Sequence, residues 1–340
     1  MAFRPPFCPF QDCTEHRSQR TFRYHRRGSF RRKCDGKTVP RFSCITCGRR
    51  FSAQTFRFDY RWRIPRIHRL LFRMFVSKVT MRQMARILEV KRQTVERRLL
   101  AIGRQCEQIH HFLLDRHKAR GGLKGRFQLD ELETYETDRR LKPVTMPVLI
   151  ERHSFFVVTG DVAPMAARGQ LSKELQERKK RYESIEGVRR SGSVKAVDGC
   201  LRRLAEVHSG SLPMCFESDR KSSYRRLFRE HAQGRFGYHR TESSKTIRDN
   251  KNLLFPINHT LAMMRDGISR LVRRSWGASK QRSRLLVHFW IWVAFRNYVR
   301  GITVKTRTTP AEEMGVVRRG LRVDELLFWR WPTRMAGFGQ

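Results

Sequence analysis

Two sets of side chains in this sequence have the types and spacing for chemistry. The first is cysteine: of eight, five fall in the first 47 residues, at Cys8, Cys13, Cys34, Cys44 and Cys47. Cys8-Pro-Phe-Gln-Asp-Cys13 and Cys44-Ile-Thr-Cys47-Gly48 are two tight turns separated by thirty residues. Each can supply two thiolates to a tetrahedral Zn²⁺, and Gly48 suits the turn where the backbone folds under a metal. The stretch between them, Thr21 to Arg32, alternates aromatic and basic residues and reads as strands of a zinc ribbon. Free thiols in a reducing compartment are the alternative, and a disulfide fits less well. Cys34 could replace one of the four ligands. Cys106, Cys200 and Cys215 are solitary and read as core residues.

The second set is carboxylates. Arg126-Phe-Gln-Leu-Asp130-Glu131 reads as a short strand ending in acid, and Pro213-Met-Cys-Phe-Glu-Ser-Asp219 as a buried strand ending in an aspartate. Two carboxylates at adjacent strand ends make a natural site for Mg²⁺, which takes hard oxygen ligands and often shares them with a phosphate. Each aspartate could equally end its strand and begin a turn. Asp161, in Val-Thr-Gly-Asp-Val, also ends a strand; it reads as a turn residue and is the rival for either position.

Elements of the right kind are present to position these groups. From Ile64 to Ser77 apolar residues recur at helical spacing. Thr80 reads as an N-cap, with Met81, Met84, Ala85 and Leu88 facing inward and Val90 filling a turn. Lys91, Arg92, Gln93, Thr94, Arg97 and Arg98 then lie on or near the exposed face of a following helix, the pattern of a helix-turn-helix able to enter a major groove; an ordinary helical hairpin with a basic face is the alternative. Gly121-Gly122-Leu-Lys-Gly125 reads as a linker. Beyond it come a strand meander (Thr145 to Glu151, Ser154 to Thr159), an exposed helix or insertion over Ala166 to Arg190, a helix over Val194 to Val207, the Asp219 strand, and mostly helix from His259 to Ile302. That order suits an α/β layer in which strand-end carboxylates meet.

Composition bounds the partners. Among 340 residues, Lys plus Arg number 73 and Asp plus Glu 31, so the formal charge is 73 − 31 = +42. Such an excess calls for a polyanion, and nucleic acid is the leading candidate. With 39% hydrophobic residues the chain has the material for a core. The longest apolar stretch, Phe289 to Phe295, is too short to span a bilayer, and the N-terminus lacks a signal-peptide hydrophobic region. A membrane protein, a secreted disulfide scaffold and an acidic binding module are excluded by this reading, which expects an intracellular protein.

Zinc ribbon, helix-turn-helix, strand-borne Asp-Glu and a later Ser-Asp, in that order, resemble bacterial insertion-sequence transposases with a DDE-type, ribonuclease-H-like catalytic domain. Asn258-His-Thr-Leu-Ala-Met-Met-Arg265-Asp-Gly-Ile-Ser-Arg-Leu-Val-Arg-Arg-Ser275 looks like their third-carboxylate helix and its basic continuation. Thr309-Pro310-Ala311-Glu312 is similar to a segment many transposases carry near the C-terminus. The resemblance implies an α/β fold: a zinc ribbon (1–58), a helix-turn-helix region (59–120), a ribonuclease-H-like mixed-sheet catalytic domain (121–315, insertion around 166–190) and a tail (316–340). It implies two Mg²⁺ or Mn²⁺ ions, Asp130 bridging them and Asp219 holding one, beside a structural Zn²⁺ on Cys8, Cys13, Cys44 and Cys47. Double-stranded DNA would be the partner, cut and joined at transposon ends by a homo-oligomer in a nucleoid-associated, cytoplasmic setting.

At the third position most such transposases have Glu; here the match lands on Asn258, with Glu242 as the other candidate. Asparagine can coordinate a hard cation but is neutral. Arg265, Arg270, Arg273, Arg274 and Lys280 would face phosphates. A catalytically inactive or domesticated DNA-binding descendant is the alternative function.

Overall fold

The computed structural model describes residues 3–16, 21–57, 59–60, 62, 64–232, 237–243, 245–247, 249–272 and 277–329. They divide into two compact units, one made of Met1–Leu71 with Val323–Gln340 and the other of Phe72–Arg322. No helix among the described residues is long and apolar enough to cross a membrane.

The first unit is a three-stranded antiparallel sheet, β1 (Tyr24–Arg31), β2 (Thr38–Cys44) and β3 (Arg50–Ser52), in that order. Its core is small and aromatic: Phe22, Phe42 and Phe51 are buried beside Cys8, Cys13 and Cys44. With so little apolar area the sheet needs a staple, which a metal supplies in many domains of this size. Cys34 lies in the β1–β2 turn. It is exposed, at the far end of the hairpin from the Tyr24–Cys44 pair, and is not among the clustered thiols.

Three helices come next: α1 (His68–Phe75), α2 (Met81–Ile87) and α3 (Arg92–Lys118). Thr80 caps α2 as expected, its side chain accepting from the Gln83 amide while Gln83 reaches back to the Thr80 amide. The second unit holds α2 and α3 together with the larger sheet. The 27 residues of α3 carry a buried stripe through Val95, Leu99, Ile102, Cys106 and Ile109 that packs against a late helix, α8 (Arg282–Tyr298). The glycines at 121–125 are less a free linker than a tight passage. Leu123 is fully buried, and a Cβ at Gly122 would meet the His208–Ser209 backbone at 2.9 Å.

The sheet of this unit contains β4 (Arg126–Tyr135), β5 (Pro143–Glu151), β6 (Val157–Gly160), β7 (Ala163–Pro164), β8 (Met214–Asp219) and β9 (Gly237–Glu242). Their order is β6-β5-β4-β8-β9, with β7 beside β5. β4, β5 and β6 run antiparallel as a meander, whereas β8 and β9 join parallel to β4. This mixed sheet in an α/β layer is consistent with a ribonuclease-H-like domain.

Between β7 and β8 come α4 (Lys173–Glu186), which buries no residue, and α5 (Ser193–Val207). α6 (Ser222–His231) links β8 to β9, followed by α7 (Phe255–Gly267) and α8 (Arg282–Tyr298). Strand alternation separates the faces: Gln128 meets α7 and Glu131 meets α5, and residues of opposite parity point opposite ways. Both faces are thus covered, which is why Val148, Leu149 and Ile150 of β5 are all fully buried. The aromatics Phe289, Trp290 and Trp292 of α8 are core, and Phe295 is half-buried. Thr309-Pro310-Ala311-Glu312 is a helix start, α9 (Pro310–Glu313): Thr309 caps it, proline sits in the first turn and Glu312 closes the capping box. A last short helix, α10 (Val323–Leu327), belongs to the first unit, where Asp324 pairs with Arg69.

Candidate functional site

The two expected aspartates stand on neighbouring strands in matched register. β4 pairs parallel with β8 as Gln128 with Glu217 and Leu129 with Ser218, so the next residues in line are Asp130 and Asp219. In a parallel pair, register partners share a face, and so do residues two apart. Asp130 and Asp219 therefore lie on the face of Gln128 and Glu217. Asp161 lies elsewhere: it follows β6, two strands from β4, its amide donates to the Pro147 carbonyl of β5, and its Oδ1 accepts from the Val162 amide.

Beneath the aspartates runs a buried polar network. Gln128 donates from Nε2 to Glu217 Oε2 and to the Leu253 carbonyl, both at 2.7 Å, and its Oε1 accepts from the Ile257 amide at 3.1 Å. Arg152 Nη1 donates to Glu217 Oε1 at 3.0 Å. This network ties both strands and the start of α7 together two residues before the aspartates. Sequence reasoning missed it, although a signal was present: Gln128 and Glu217 are polar residues set among the apolar residues Phe127, Leu129 and Phe216 of two buried strands.

α7 runs alongside β4 in the same direction, because Ile257 meets Gln128 near its start and Arg265 Nη2 donates to the Glu133 carbonyl near its end. Asn258 is half-buried and shares a helix face with Arg265, two turns on. The expected third residue thus sits on the helix that flanks the Asp130 strand. Glu242, the other candidate, pairs in register with Asp219. Its carboxylate accepts from the Ser243 amide and the Thr246 hydroxyl, and the first of these bonds leads in holding its pKa below the usual carboxylate range.

On the opposite face, Lys221 Nζ donates to Glu131 Oε2 at 2.5 Å and to Ser193 Oγ at 2.9 Å, and Ser193 donates to Glu131 Oε1 at 2.6 Å. Glu131 follows Asp130 in the middle of β4 and Lys221 lies two residues past Asp219, so this knot joins the two strands from behind. Tyr224, 1% exposed, reports how tightly the acids gather. Burial first, then the charges of Glu131, Asp219 and Asp130, push its phenol upward.

The cysteine cluster is the group of His, Cys, Asp and Glu ligand atoms that could hold a metal among the described residues: the Sγ atoms of Cys8, Cys13, Cys44 and Cys47 lie within 4.8 Å of one another. The Cys8–Cys47 and Cys13–Cys44 separations are 3.7 and 3.9 Å. A tetrahedron with Zn–S bonds of about 2.3 Å has sulfur edges of about 3.8 Å, which these two separations match, so the four thiols are a donor set suited to Zn²⁺. Gly48, with φ +69°, makes the turn after Cys47 that its amide closes onto the Cys44 carbonyl. Against the upward push of burial, the amide and guanidinium of Arg49 hold the Cys47 thiol down, at about 6, already thiolate at neutral pH.

The basic residues divide by burial. Lys91, Arg92, Gln93 and Arg97 are exposed at the start of α3 and Thr94 is half-buried. Arg98 is buried, because it falls between Val95 and Leu99 on the face that packs inward. Arg270 is buried as well, with Nη2 at 3.5 Å from Met81 Sδ, and burial pushes its guanidinium down to about 10. Neither of these two presents its charge to solvent. The expected continuous basic helix also stops: α7 ends at Gly267 and a 3₁₀ turn, Ser269–Leu271, follows. Arg273 and Arg274 lie outside the described residues, and Lys280 is exposed.

No protein-family model matches the chain. No curated protein matches it either. Among solved structures, the chain is similar to the catalytic domain of Mos1 mariner transposase, with 14% identity over 59% of this chain and 91% of that one and a TM-score of 0.22. It is also similar to the Mos1 mariner paired-end complex with Mn, with 12% identity over 63% and 70% of the two chains and a TM-score of 0.22. Overall likeness at these scores is low, and the site is read from its own strands and side chains.

Proposed function

We propose that this chain is a DNA transposase that cleaves and joins DNA strands by metal-dependent phosphoryl transfer, with Asp130, Asp219 and Asn258 as its catalytic residues. The observation that carries this reading is the register that aligns Asp130 with Asp219 on one face of adjacent parallel strands. Two carboxylates and an amide carbonyl, half open to solvent, are a hard-oxygen donor set suited to Mg²⁺ or Mn²⁺, with room for waters and a phosphate. When bound, two such ions supply charge stabilisation at the attacking and leaving oxygens of an in-line displacement.

The chain's own residues do the positioning. Gln128, Glu217 and Arg152 fix the strands in register, and Lys221 holds Glu131 paired, away from the Asp130 face. Asn258 contributes an oxygen without charge, so the site carries one negative charge fewer than three carboxylates would give.

DNA recognition falls to the exposed start of α3. Lys91, Arg92, Gln93, Thr94 and Arg97 follow a capped helix and a short turn, as a helix-turn-helix requires, and Gln and Arg are the side chains that read base edges bidentately. The three-stranded sheet with its four thiols is read as a zinc ribbon, with Zn²⁺ on Cys8, Cys13, Cys44 and Cys47. Two ends must be brought together for strand transfer, so the working form is a homo-oligomer on DNA.

A second reading, a DNA-binding protein without catalysis, is favoured by one feature, the neutral Asn258. The test between them is Mg²⁺-dependent nicking of duplex DNA carrying the element's ends, with Asp130→Ala as the control. Nicking by the wild-type chain that the substitution abolishes supports the enzyme. Tight end binding without nicking supports the remnant.

A further inference from the structure

We propose that α6 forms a second DNA-contacting surface, which grips the phosphate backbone of duplex DNA where it leaves the Asp219 strand end. It rests on the reading above only for that location; the contact itself is a matter of binding.

α6 follows Asp219 after two residues. One side of it is anchored: Tyr224, Leu227 and Phe228 are buried, and the Phe228 ring stacks on Phe216 of β8 at 5.0 Å. The other side carries Ser222, Arg225, Arg226 and Arg229, all exposed and spaced at i, i+3, i+4 and i+7, which is one stripe of a helix. With Glu230 these residues line an open groove of about 410 Å³. Arg226 is paired with Glu230 at 3.3 Å, whereas Arg225 and Arg229 form no ion pair among the described residues.

A basic helical face is ordinarily balanced by i,i+4 acids, as Lys179–Glu183 is on α4. On α6, among the described residues, Arg226 has such a partner in Glu230 whereas Arg225 and Arg229 have none, and the apolar anchoring removes the option of turning the arginines inward. Three guanidinium groups within about one turn make a compact cationic patch for backbone phosphates, and no base edge is needed for such contacts. The stripe begins beside the carboxylates, so DNA held there runs outward from the candidate site.

The test is binding of a random-sequence DNA duplex without divalent metal, measured across salt concentrations. The triple variant Arg225→Gln/Arg226→Gln/Arg229→Gln is compared with Lys173→Gln/Lys180→Gln/Arg181→Gln, three exposed residues of α4, which removes the same charge elsewhere. We expect the α6 variant to lose about two to three units of salt slope, near 0.9 per phosphate contact, and about ten- to a hundredfold in affinity at low salt. The α4 variant should lose less than about one unit. Equal small losses in both variants would overturn the proposal, as would a loss with duplex RNA but not with DNA. The single variant Arg225→Gln, expected to lose about one unit, answers the same question if the triple variant folds poorly. Asp219→Ala should keep the wild-type slope, so a chain that never nicks DNA would sink the catalytic reading and leave this one standing.

Discussion

The Gln128 side-chain amide donates to Glu217 across the two central strands at 2.7 Å, two residues short of Asp130 and Asp219. The pair is buried and Arg152 caps its charged end, so the alignment of the aspartates is held by polar bonds that apolar packing alone would not specify. A slip of one residue in either strand would send one aspartate to the far face.

Removing Glu217 should therefore cost stability and activity together. Glu217→Leu leaves the Gln128 amide and the Arg152 guanidinium without their acceptor, and we expect a loss of about 2–4 kcal/mol in urea unfolding. Glu217→Gln keeps an acceptor for both groups and should lose less than half as much. Equal losses for the two variants would mean that packing, not hydrogen bonding, holds the register.

Lys221 makes a separate prediction. Its ammonium joins Glu131 to Ser193 behind the site, but it is a third exposed, so its contribution to stability is about 1 kcal/mol or less. Its effect on turnover should be larger. Lys221→Met is expected to slow nicking about ten- to a hundredfold, because small displacements of positioned groups are costly, while Lys221→Arg restores most of the rate. A methionine variant as fast as wild type would remove Lys221 from the positioning of the site.

For the first unit, one Zn²⁺ per chain is expected on purification. Chelation, or Cys13→Ser, should release it and unfold the small aromatic core, read as loss of the sheet in circular dichroism and rapid proteolysis before residue 60. Cys34→Ser should change neither. A chain that keeps its N-terminal fold after full chelation would contradict the zinc reading.

Acid should weaken the second unit through two histidines. His110 is buried between the Tyr298 hydroxyl and the Val158 carbonyl, and His288 bonds the Phe75 carbonyl. Burial pushes both from 6.5 down to about 3. The unfolded chain takes up these protons near pH 6.5, whereas the folded one does not until about pH 3. Their contribution is therefore complete above pH 6.5 and is lost as pH falls from 6.5 toward 3, at about 1.4 kcal/mol per pH unit for each histidine. His111 and His239, each lowered to about 4 by burial, add to the same trend. Urea unfolding at pH 6, 5 and 4 should show the slope, and His110→Leu should remove one histidine's share of it, about 1.4 kcal/mol per pH unit. An unchanged slope in that variant would assign the acid sensitivity elsewhere.

Much of the site is written in local sequence. The cysteine spacing, the Thr80 cap and the strands bearing Asp130 and Asp219 each carry their own signal within a few residues, although β4 runs on to Tyr135, so that Asp130 lies mid-strand and not at the strand end the acids suggested. What the sequence hides depends on partners far along the chain. Arg98 and Arg270 read as free charges because arginine is usually exposed, yet the helical phase of Val95 and Leu99 already turns Arg98 inward. Gln128 and Glu217 find each other 89 residues apart. The packing of α3 is hidden for a similar reason: it is held by α8, whose sequence lies far downstream. Polar residues at inward strand positions were the overlooked cue, since each marks a bond that must be satisfied.

The most direct test of the central claim is Mg²⁺-dependent nicking of DNA bearing the element's own ends, comparing wild type with Asp219→Ala and Asn258→Ala. Nicking by wild type that both substitutions abolish is the expected result and identifies an Asp-Asp-Asn site. Loss with Asp219→Ala but full activity in Asn258→Ala would contradict the assignment of Asn258 and move the third ligand toward Glu242. Absence of nicking by wild type, with tight binding to the ends, would contradict the catalytic account itself.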